Sequence, residues 1–396
     1  MNKKVLNRFW YHIKYIFYAK KKWGVPKQSK VLIYDAANSE ILLKYLSPWN
    51  PEFLHVRGEQ FYVWIFLKSL FKKGRRIDNY IDLFIELVNP ILIVTIIDNK
   101  STFYSISLRH PKRKTLFIQN GIRSYNGDVF GELDNLQKNE PDILRNFFVD
   151  YMLVIGSICG DRYAKYIKGN VLVTGSVKNN FVIRKNSPKK NTIAFISQWR
   201  DTTRVYDGTS YLSFEDVFQK ADNIVLQCLN EYAKKNRKRL FFILCYRGDK
   251  ESNTLKEKAY YKKLLGGEIE ILSGEEPFSS YNAIDMAEVT IGIDSTLCYE
   301  AIARGGKAGI FPLRSTLTRL WDLRYGWPAD FPGEGPFWTN KADPKSINRI
   351  LDYLFEVNEE KWRNDLESTK FSSIMSYDSG NMKLNAIFKK ELGDFI

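Results

Sequence analysis

The chain contains 396 residues, of which 44% are hydrophobic and 27% are charged, and its formal net charge is +15 at pH 7. This composition is typical of a folded protein of two or three domains and excludes an intrinsically disordered chain. The excess of positive charge favours an anionic partner, which would be a nucleic acid, a membrane surface or an anionic small molecule.

The first 30 residues contain nine Lys or Arg and no Asp or Glu. Apolar residues recur within this segment at roughly helical intervals: Leu6, Phe9, Trp10, Ile13, Tyr15 and Phe17. The pattern predicts an interfacial amphipathic helix, with residues 1–22 contacting an anionic membrane surface. The alternative is a helix packed on its own domain with a solvated basic face. No secretory signal and no apolar run of the ~18 residues needed to span a bilayer is visible. We therefore expect a cytoplasmic protein, peripheral on the inner face of the membrane.

After Lys30 the sequence alternates short apolar strands with helices, and Ile91–Ile97 is the most apolar strand. Such alternation predicts parallel sheets joined by right-handed crossovers. A polar stretch without periodicity then follows, after which the same alternation restarts. We therefore expect an α/β fold of two Rossmann-like domains that face each other across a cleft. The predicted divisions are a basic segment (1–30), a first domain (31–183), a linker (184–191), a second domain (192–345) and closing helices (346–396).

The strongest candidate site begins where an apolar strand ends at Asp294. Ser295 and Thr296 are natural caps of the helix that follows. The first turn of a helix presents free N–H groups and the positive end of the helix dipole, which together bind anions. Glu300 would point back toward the helix start, where a carboxylate can bind both hydroxyls of a ribose. The alternative is an ordinary capped helix with an exposed glutamate.

Two further strand ends of the second domain carry polar residues. Ser197, Gln198 and Arg200 end its first strand, where they could bind a phosphate or a base. Arg247 follows the strand Phe241–Tyr246, and its planar guanidinium suits a phosphate. The alternative for Arg247 is a surface loop arginine.

In the first domain, Gln119, Asn120 and Arg123 follow a strand. Their amide and guanidinium groups could clamp the hydroxyls of an acceptor or donor. The alternative is a simple turn at the end of the strand.

Asp98 ends the most apolar strand of the first domain. A partly desolvated carboxylate at this edge could act as a general base toward an acceptor hydroxyl. The alternative is that Asp98 caps the helix that begins near Thr102. Asp35 is the second candidate base, because it also ends a strand.

Five short segments occur in an order that resembles a family of bacterial surface-carbohydrate and O-antigen biosynthesis transferases with a GT-B architecture. These segments are Asp98-Asn99, Phe117–Arg123, Gly175-Ser176 with Asn179-Asn180, Ile196–Arg200 and Asp294–Thr296. The resemblance spans roughly residues 90–312. It implies a glycosyltransferase whose first domain holds the acceptor and whose second domain holds the nucleotide-sugar.

The resemblance also implies what the reaction needs. The donor would be a nucleotide-sugar and the acceptor a growing O-antigen or capsule glycan, which could be lipid-linked. No metal or other cofactor is expected, and the three histidines and four separated cysteines form no metal motif. One departure puts a CMP-linked donor in doubt. Arg247-Gly248-Asp249 stands where CMP-sugar transferases often carry His-Pro, and the chain's only such pair is His110-Pro111.

Three other interpretations remain open from the sequence. A nucleotide-sugar epimerase or a polyol-phosphate transferase could use the same two halves. A non-catalytic scaffold of glycan assembly would bind in the cleft without turnover. A nucleic-acid-binding protein is not expected, because the basic residues are concentrated at the N-terminus and no recognisable binding motif is present.

Overall fold

The computed structural model describes residues 18–125, 128–184, 187–200, 205–207, 209–245, 251–272 and 278–394. Most of the predicted amphipathic helix lies outside these residues. In the part of the chain that the structure describes, no helix is long and apolar enough to cross a membrane.

Six parallel strands form the first sheet, in the spatial order β3-β2-β5-β6-β7-β8. The strands of this half of the chain are β1 (Lys20–Lys22), β2 (Val31–Tyr34), β3 (Glu52–Leu54), β4 (Gln60–Tyr62), β5 (Leu92–Thr95), β6 (Lys114–Ile118), β7 (Phe148–Val154) and β8 (Lys168–Val173). All residues of β2 and β5 are buried, as expected for parallel strands covered on both faces. Strands β1 and β4 form a separate parallel pair.

Helices cover both faces of this sheet. They are α1 (Glu40–Leu46), α2 (Val63–Leu70), α3 (Arg76–Val88), α4 (Ile106–Arg109), α5 (Val129–Asn139), α6 (Pro141–Leu144), α7 (Ser157–Ala164) and α8 (Val177–Phe181), with a 3₁₀ turn at Ser47–Trp49. The helix that the sequence predicts to begin near Thr102 begins only at Ile106, and turns precede it.

Five parallel strands form the second sheet, in the order β13-β12-β9-β14-β15. The strands of this half are β9 (Lys189–Ile196), β10 (Val205–Tyr206), β11 (Tyr211–Leu212), β12 (Arg239–Ile243), β13 (Glu270–Ile271), β14 (Ala287–Gly292) and β15 (Ala308–Ile310). Strands β10 and β11 form a separate antiparallel pair. Pairs of only two or three residues carry too little periodicity to be predicted from sequence.

The helices of the second half begin with a π-helical turn at Glu215–Gln219 that continues into α9 (Lys220–Lys235). The others are α10 (Glu251–Leu265), α11 (Ser279–Met286), α12 (Thr296–Ala303), α13 (Arg314–Leu317), α14 (Pro344–Glu356), α15 (Glu359–Ser368), α16 (Phe371–Ile374) and α17 (Met382–Leu392), with 3₁₀ turns at Trp321–Leu323 and Ser379–Asn381.

The closing helices divide between the two sheets. Helix α14 buries Ile347, Ile350 and Leu354 in the core of the second sheet. Helix α17 returns to the first sheet, where Leu384 and Phe388 pack in its core. The C-terminal end of the chain therefore crosses back over the junction and ties the two halves together.

The segments that follow the strands of one sheet contact those of the other. The Ile122 amide, beyond β6, donates to Thr296 Oγ1 at 3.2 Å. The Tyr125 amide donates to Asp322 Oδ2 at 2.6 Å. The carboxyl ends of both sheets thus face each other, which confirms the predicted α/β fold of two Rossmann-like halves across a cleft.

Candidate functional site

The cleft between the two halves has a volume of about 590 Å³. It is lined by Ile122, Arg123, Ser124 and Asp128 from the first half and by Ser197, Gln198, Arg200, Val205, Val217, Phe218, Cys245, Asp294, Ser295, Thr296, Tyr299, Arg314, Asp322, Leu323 and Arg324 from the second. Four arginines and three aspartates contribute to this lining, so the cleft offers charged donors and acceptors to a polar ligand.

The floor of the cleft is built on an ion pair between two strand ends. Arg314, beyond β15, contacts Asp294 beyond β14, with Nη1 2.8 Å from Oδ1. The guanidinium lies over the Phe218 ring, 4.0 Å from its centroid. Asp294 Oδ2 and Arg314 Nε are buried, and neither has a hydrogen-bond partner among the described residues. Buried polar atoms of this kind are normally satisfied, so these two are exceptions within a floor that is otherwise paired.

The N-terminus of α12 opens into the same part of the cleft. Ser295 caps this helix, since its Oγ accepts a hydrogen bond from the Leu297 amide at 3.3 Å. Thr296 Oγ1 accepts from the Ile122 amide and so joins the helix to the opposite wall. The positive end of the helix dipole lies beside the Arg314 floor, and the two together favour a phosphate.

A buried carboxylate fixes the strand ends on the other side of the floor. Glu257 of α10 accepts hydrogen bonds from Ser197 Oγ and from the Cys245 amide, the latter at 2.8 Å. Tyr261, one turn further along α10, donates to Ser197 Oγ at 2.8 Å. These contacts hold the ends of β9 and β12 at fixed positions, which places Ser197 in the lining.

Asp222 of α9 lies behind Arg314 and is buried. Burial raises its pKa to about 7, although the charge of Arg314 and a hydrogen bond from Tyr260 oppose the rise. Tyr260 OH donates to Asp222 Oδ2 at 3.0 Å. Arg314 therefore has two carboxylates near it, and only Asp294 forms an ion pair with it.

Residues 116–392 match the model of a family described as "putative O-antigen biosynthesis protein", and this span exceeds half of the chain. The chain belongs to this family. None of the curated protein sequences matches it.

Solved structures share the fold at low sequence identity. A "putative UDP-N-acetylglucosamine 2-epimerase" of Listeria monocytogenes is 13% identical, with a TM-score of 0.50 over 92% of this chain and 96% of that one. A UDP-GlcNAc 2-epimerase of Methanocaldococcus jannaschii, in complex with UDP-GlcNAc and UDP, is 11% identical, with a TM-score of 0.48 over 91% and 99%. A glycosyltransferase of Rickettsia africae is 11% identical, with a TM-score of 0.47 over 93% and 99%. The chain thus has a GT-B architecture in a family of O-antigen biosynthesis.

Six of the predicted donor-binding residues line the cleft of this O-antigen family member: Ser197, Gln198, Arg200, Asp294, Ser295 and Thr296. Gln198 Oε1 accepts from the Asp294 amide at 3.2 Å, which joins two of the predicted strand ends. Arg200 is exposed at the rim. Arg247 lies outside the described residues. The structure therefore brings these six residues to one surface, and their role as ligands stays a prediction.

Glu300 does not lie where the sequence predicted. Its side chain is buried beneath α12, away from the cleft lining, and accepts a hydrogen bond from Tyr281 OH at 3.1 Å. Burial raises its pKa, against hydrogen bonds from Ser176 and Tyr281 that lower it. The helix turns this carboxylate into the protein, so the expected contact with a ribose is wrong for this geometry.

Asp98 is also placed differently from the expected general base. It is fully buried and does not line the cleft. Arg123 forms a two-pronged ion pair with it, Tyr163 OH donates to it at 2.5 Å, and the Asn120 amide donates at 3.2 Å. Both carboxylate oxygens of Asp98 are engaged, and the residue does not line the cleft. Asp98 therefore holds the Arg123 side chain in position. It caps no helix near residue 102 either.

Arg123 is the member of the predicted acceptor group that lines the cleft. Burial lowers its pKa, but Asp98 and its neighbours more than offset this effect, so the pKa is raised well above the usual value. Gln119 is buried and bonds to the Gly121 carbonyl at 2.9 Å and the Ile155 amide at 3.1 Å. Gln119 thus holds strand ends together, and Asn120 does not belong to the lining.

Asp35, the second candidate base, ends β2 with a positive φ of 70°. It is buried, and Arg57 Nε contacts its Oδ2 at 2.7 Å. The Ala37 amide donates to its Oδ1 at 3.1 Å. Asp35 therefore lies at the predicted sheet edge but outside the cleft lining, tied into the loop that follows its strand.

Sequence reasoning missed Arg314, Asp222 and Glu257. Arg314 follows strand β15 by four residues, so the strand-end rule applied elsewhere would have identified it. Asp222 and Glu257 lie within helices α9 and α10, and their sequence surroundings resemble those of solvent-exposed residues. Only the packing of these helices on the sheet buries them.

Proposed function

We propose that this protein is a glycosyltransferase that moves a sugar from a nucleotide-sugar donor to a growing surface polysaccharide, such as O-antigen or capsule. The observation that carries the proposal is the convergence of the α12 N-terminus and the Arg314–Asp294 pair on the floor of a cleft between two parallel sheets. Membership of the O-antigen biosynthesis family supports a glycan as the acceptor.

The donor would bind with its phosphates on the second half. The positive end of the α12 dipole and the guanidinium charge of Arg314 are suited to a phosphate. Arg200 at the rim adds a positive charge on the entry side. The Asp294 carboxylate, which lines the cleft, would accept a hydrogen bond from a sugar or ribose hydroxyl.

The reaction would be a direct displacement at the anomeric carbon. The acceptor oxygen forms a bond to that carbon as the bond to the nucleotide phosphate breaks. The leaving nucleotide keeps the electron pair, and its charge is stabilised by Arg314 and the α12 dipole. Because Asp98 is engaged with Arg123 and Asp294 with Arg314, the base for the acceptor proton would come from the other carboxylates that line the cleft, Asp128 and Asp322.

The acceptor would lie against the first half, where Arg123 is held by Asp98 in a fixed orientation. A lipid-linked acceptor would be reached from the inner face of the cytoplasmic membrane, with residues 1–22 as the basic attachment segment. Nine basic residues and no acid among the first 30 support this attachment.

A thermal-shift panel with CMP, CDP, UDP, GDP and dTDP tests the donor site. Ligand at a hundredfold excess over Kd stabilises the folded state by about 2.7 kcal/mol. We expect one nucleotide to stand out and its effect to shrink in Arg314→Lys, which keeps the charge but loses the planar fork. The matched control is Arg239→Lys, since Arg239 pairs with Glu270 at the amino end of β12, away from the cleft.

The product separates a transferase from an epimerase with the same fold. A transferase releases free nucleotide in proportion to the glycan that it extends. An epimerase leaves the sugar attached to its nucleotide and changes only its stereochemistry. Stabilisation by none of the nucleotides, in a protein that folds normally, would contradict the proposed donor site.

A further inference from the structure

Helix α2 is apolar on the face that it turns to solvent. Its inner face buries Ile65 and Ser69. Trp64 and Leu67 lie on its outer face and Phe71 directly follows its last residue, and they are 55%, 40% and 89% exposed. A helix that is apolar on both faces is usually enclosed in protein or in contact with lipid. Nothing among the described residues encloses this one.

The exposed surface extends beyond α2. Strand β1 pairs with β4, and its last residue Lys22 lies beside Tyr62, directly before α2. Trp23 follows Lys22 and is 66% exposed. We call the surface formed by Trp23, Trp64, Leu67 and Phe71 the α2 patch. Large apolar side chains exposed on neighbouring elements are typical of an interaction surface.

Basic residues outnumber acidic ones around the α2 patch, although Lys72 pairs with Glu86 at 3.6 Å and Arg75 with Asp78 at 3.8 Å. Residues 60–76 contain five Lys or Arg and no Asp or Glu: Lys68, Lys72, Lys73, Arg75 and Arg76. Tryptophan at the polar boundary, long apolar side chains and surrounding basic residues are the composition of a surface that inserts into the headgroup layer of an anionic bilayer.

We propose that the α2 patch docks on an anionic lipid bilayer. Two other occupants fit the charges poorly. Residues 1–17 carry Lys3, Lys4, Arg8 and Lys14 and no acid, so they would bring like charges against the patch. A second copy related by twofold symmetry would place the same five basic positions opposite one another. An anionic bilayer complements the patch and the N-terminal segment at once.

The α2 patch lies near the side of the first half that faces the cleft. Helix α3 precedes the parallel strand β5 and runs back along the sheet, so it begins on the side where the strands have their carboxyl ends. The turn between α2 and α3, with Phe71, therefore lies on the cleft side of the first half. This step rests on the proposed function. Docking of the patch on the bilayer would bring a lipid-linked acceptor to the cleft from the side of the first half.

Vesicle partitioning of the full chain tests the proposal. The probes are vesicles of phosphatidylglycerol mixed with phosphatidylcholine, and vesicles of phosphatidylcholine alone. We expect the combined Trp64→Ser, Leu67→Ser and Phe71→Ser variant to lose about tenfold or more of its partitioning to the anionic vesicles. The matched control replaces three equally exposed apolar residues elsewhere, Tyr211, Leu255 and Met382, with serine and is expected to partition as the unaltered protein does.

Phe71→Trp is expected to retain partitioning, because tryptophan is favoured at the membrane interface. Unchanged partitioning of the triple variant would overturn the proposal. The proposal would also be overturned if sedimentation without vesicles showed that the wild-type protein is a dimer and the triple variant a monomer. Nucleotide-induced thermal stabilisation is measured on the same samples. A failure of docking with intact nucleotide stabilisation refutes only the bilayer proposal, and the reverse result refutes only the donor site.

Discussion

Replacing Asp98 with asparagine keeps the size of the buried side chain and removes its charge. In the native protein this carboxylate accepts hydrogen bonds from Arg123, from Tyr163 OH at 2.5 Å and from the Asn120 amide at 3.2 Å. Neutralising one partner of a buried ion pair costs roughly 3–5 kcal/mol, because the other charge is left uncompensated. Arg123 keeps Asp128 at 4.0 Å, and its side chain is 13% exposed. We therefore expect a loss of about 3 kcal/mol in the free energy of unfolding, at the low end of that range.

Urea unfolding of the full chain measures this loss. The matched control is Asp128→Asn, because Asp128 also approaches Arg123 but caps α5, and asparagine caps a helix equally well. The control should stay within about 1 kcal/mol of the native protein. An Asp98→Asn protein with native stability and no turnover would refute the anchoring role and restore Asp98 as the general base.

Three further substitutions test other parts of the structure. Asp222 has its pKa raised by burial from 3.8 to about 7, so the stability that its proton contributes is present below about pH 4 and lost as pH rises through 7. The free energy of unfolding of Asp222→Asn should therefore rise relative to that of the native protein by up to about 4 kcal/mol between pH 4 and pH 7. Urea unfolding at each pH measures this difference, and parallel pH profiles of the two proteins would contradict it. Glu300→Gln should keep the nucleotide-induced thermal shift, because Glu300 bonds to Tyr281 outside the cleft, and a lost shift would return it to the donor site. Gly156→Ala would place a Cβ 2.3 Å from the Ile374 carbonyl oxygen and should lower the unfolding free energy by about 1–3 kcal/mol, with unaltered stability as the contrary result.

The sequence was sufficient to predict the arrangement of the sheets. Strands such as Leu92–Thr95 are continuous β-branched and aliphatic runs, which parallel strands buried on both faces require. Parallel strands also fix where their carboxyl ends meet, so Ser197, Asp294 and Thr296 could be assigned to one cleft before any contact was known. The prediction succeeded because it depended on topology alone.

The same reasoning failed where a side chain's direction mattered. Asp98 follows a strand and Glu300 lies inside the helix after Asp294, as predicted, yet both side chains are buried away from the cleft. Their partners, Tyr163 and Tyr281, lie on other helices, and no local pattern connects them.

The sequence by itself therefore determined the two α/β halves, the cleft between their strand ends and the basic character of the N-terminal segment. The tertiary structure alone decided that Arg314 pairs with Asp294, that Asp98 holds Arg123 and that α17 packs on the first sheet. The reason is physical. Hydrophobic periodicity is a property of neighbouring residues, whereas the partner of a buried charge is set by how distant helices and strands rotate as they pack.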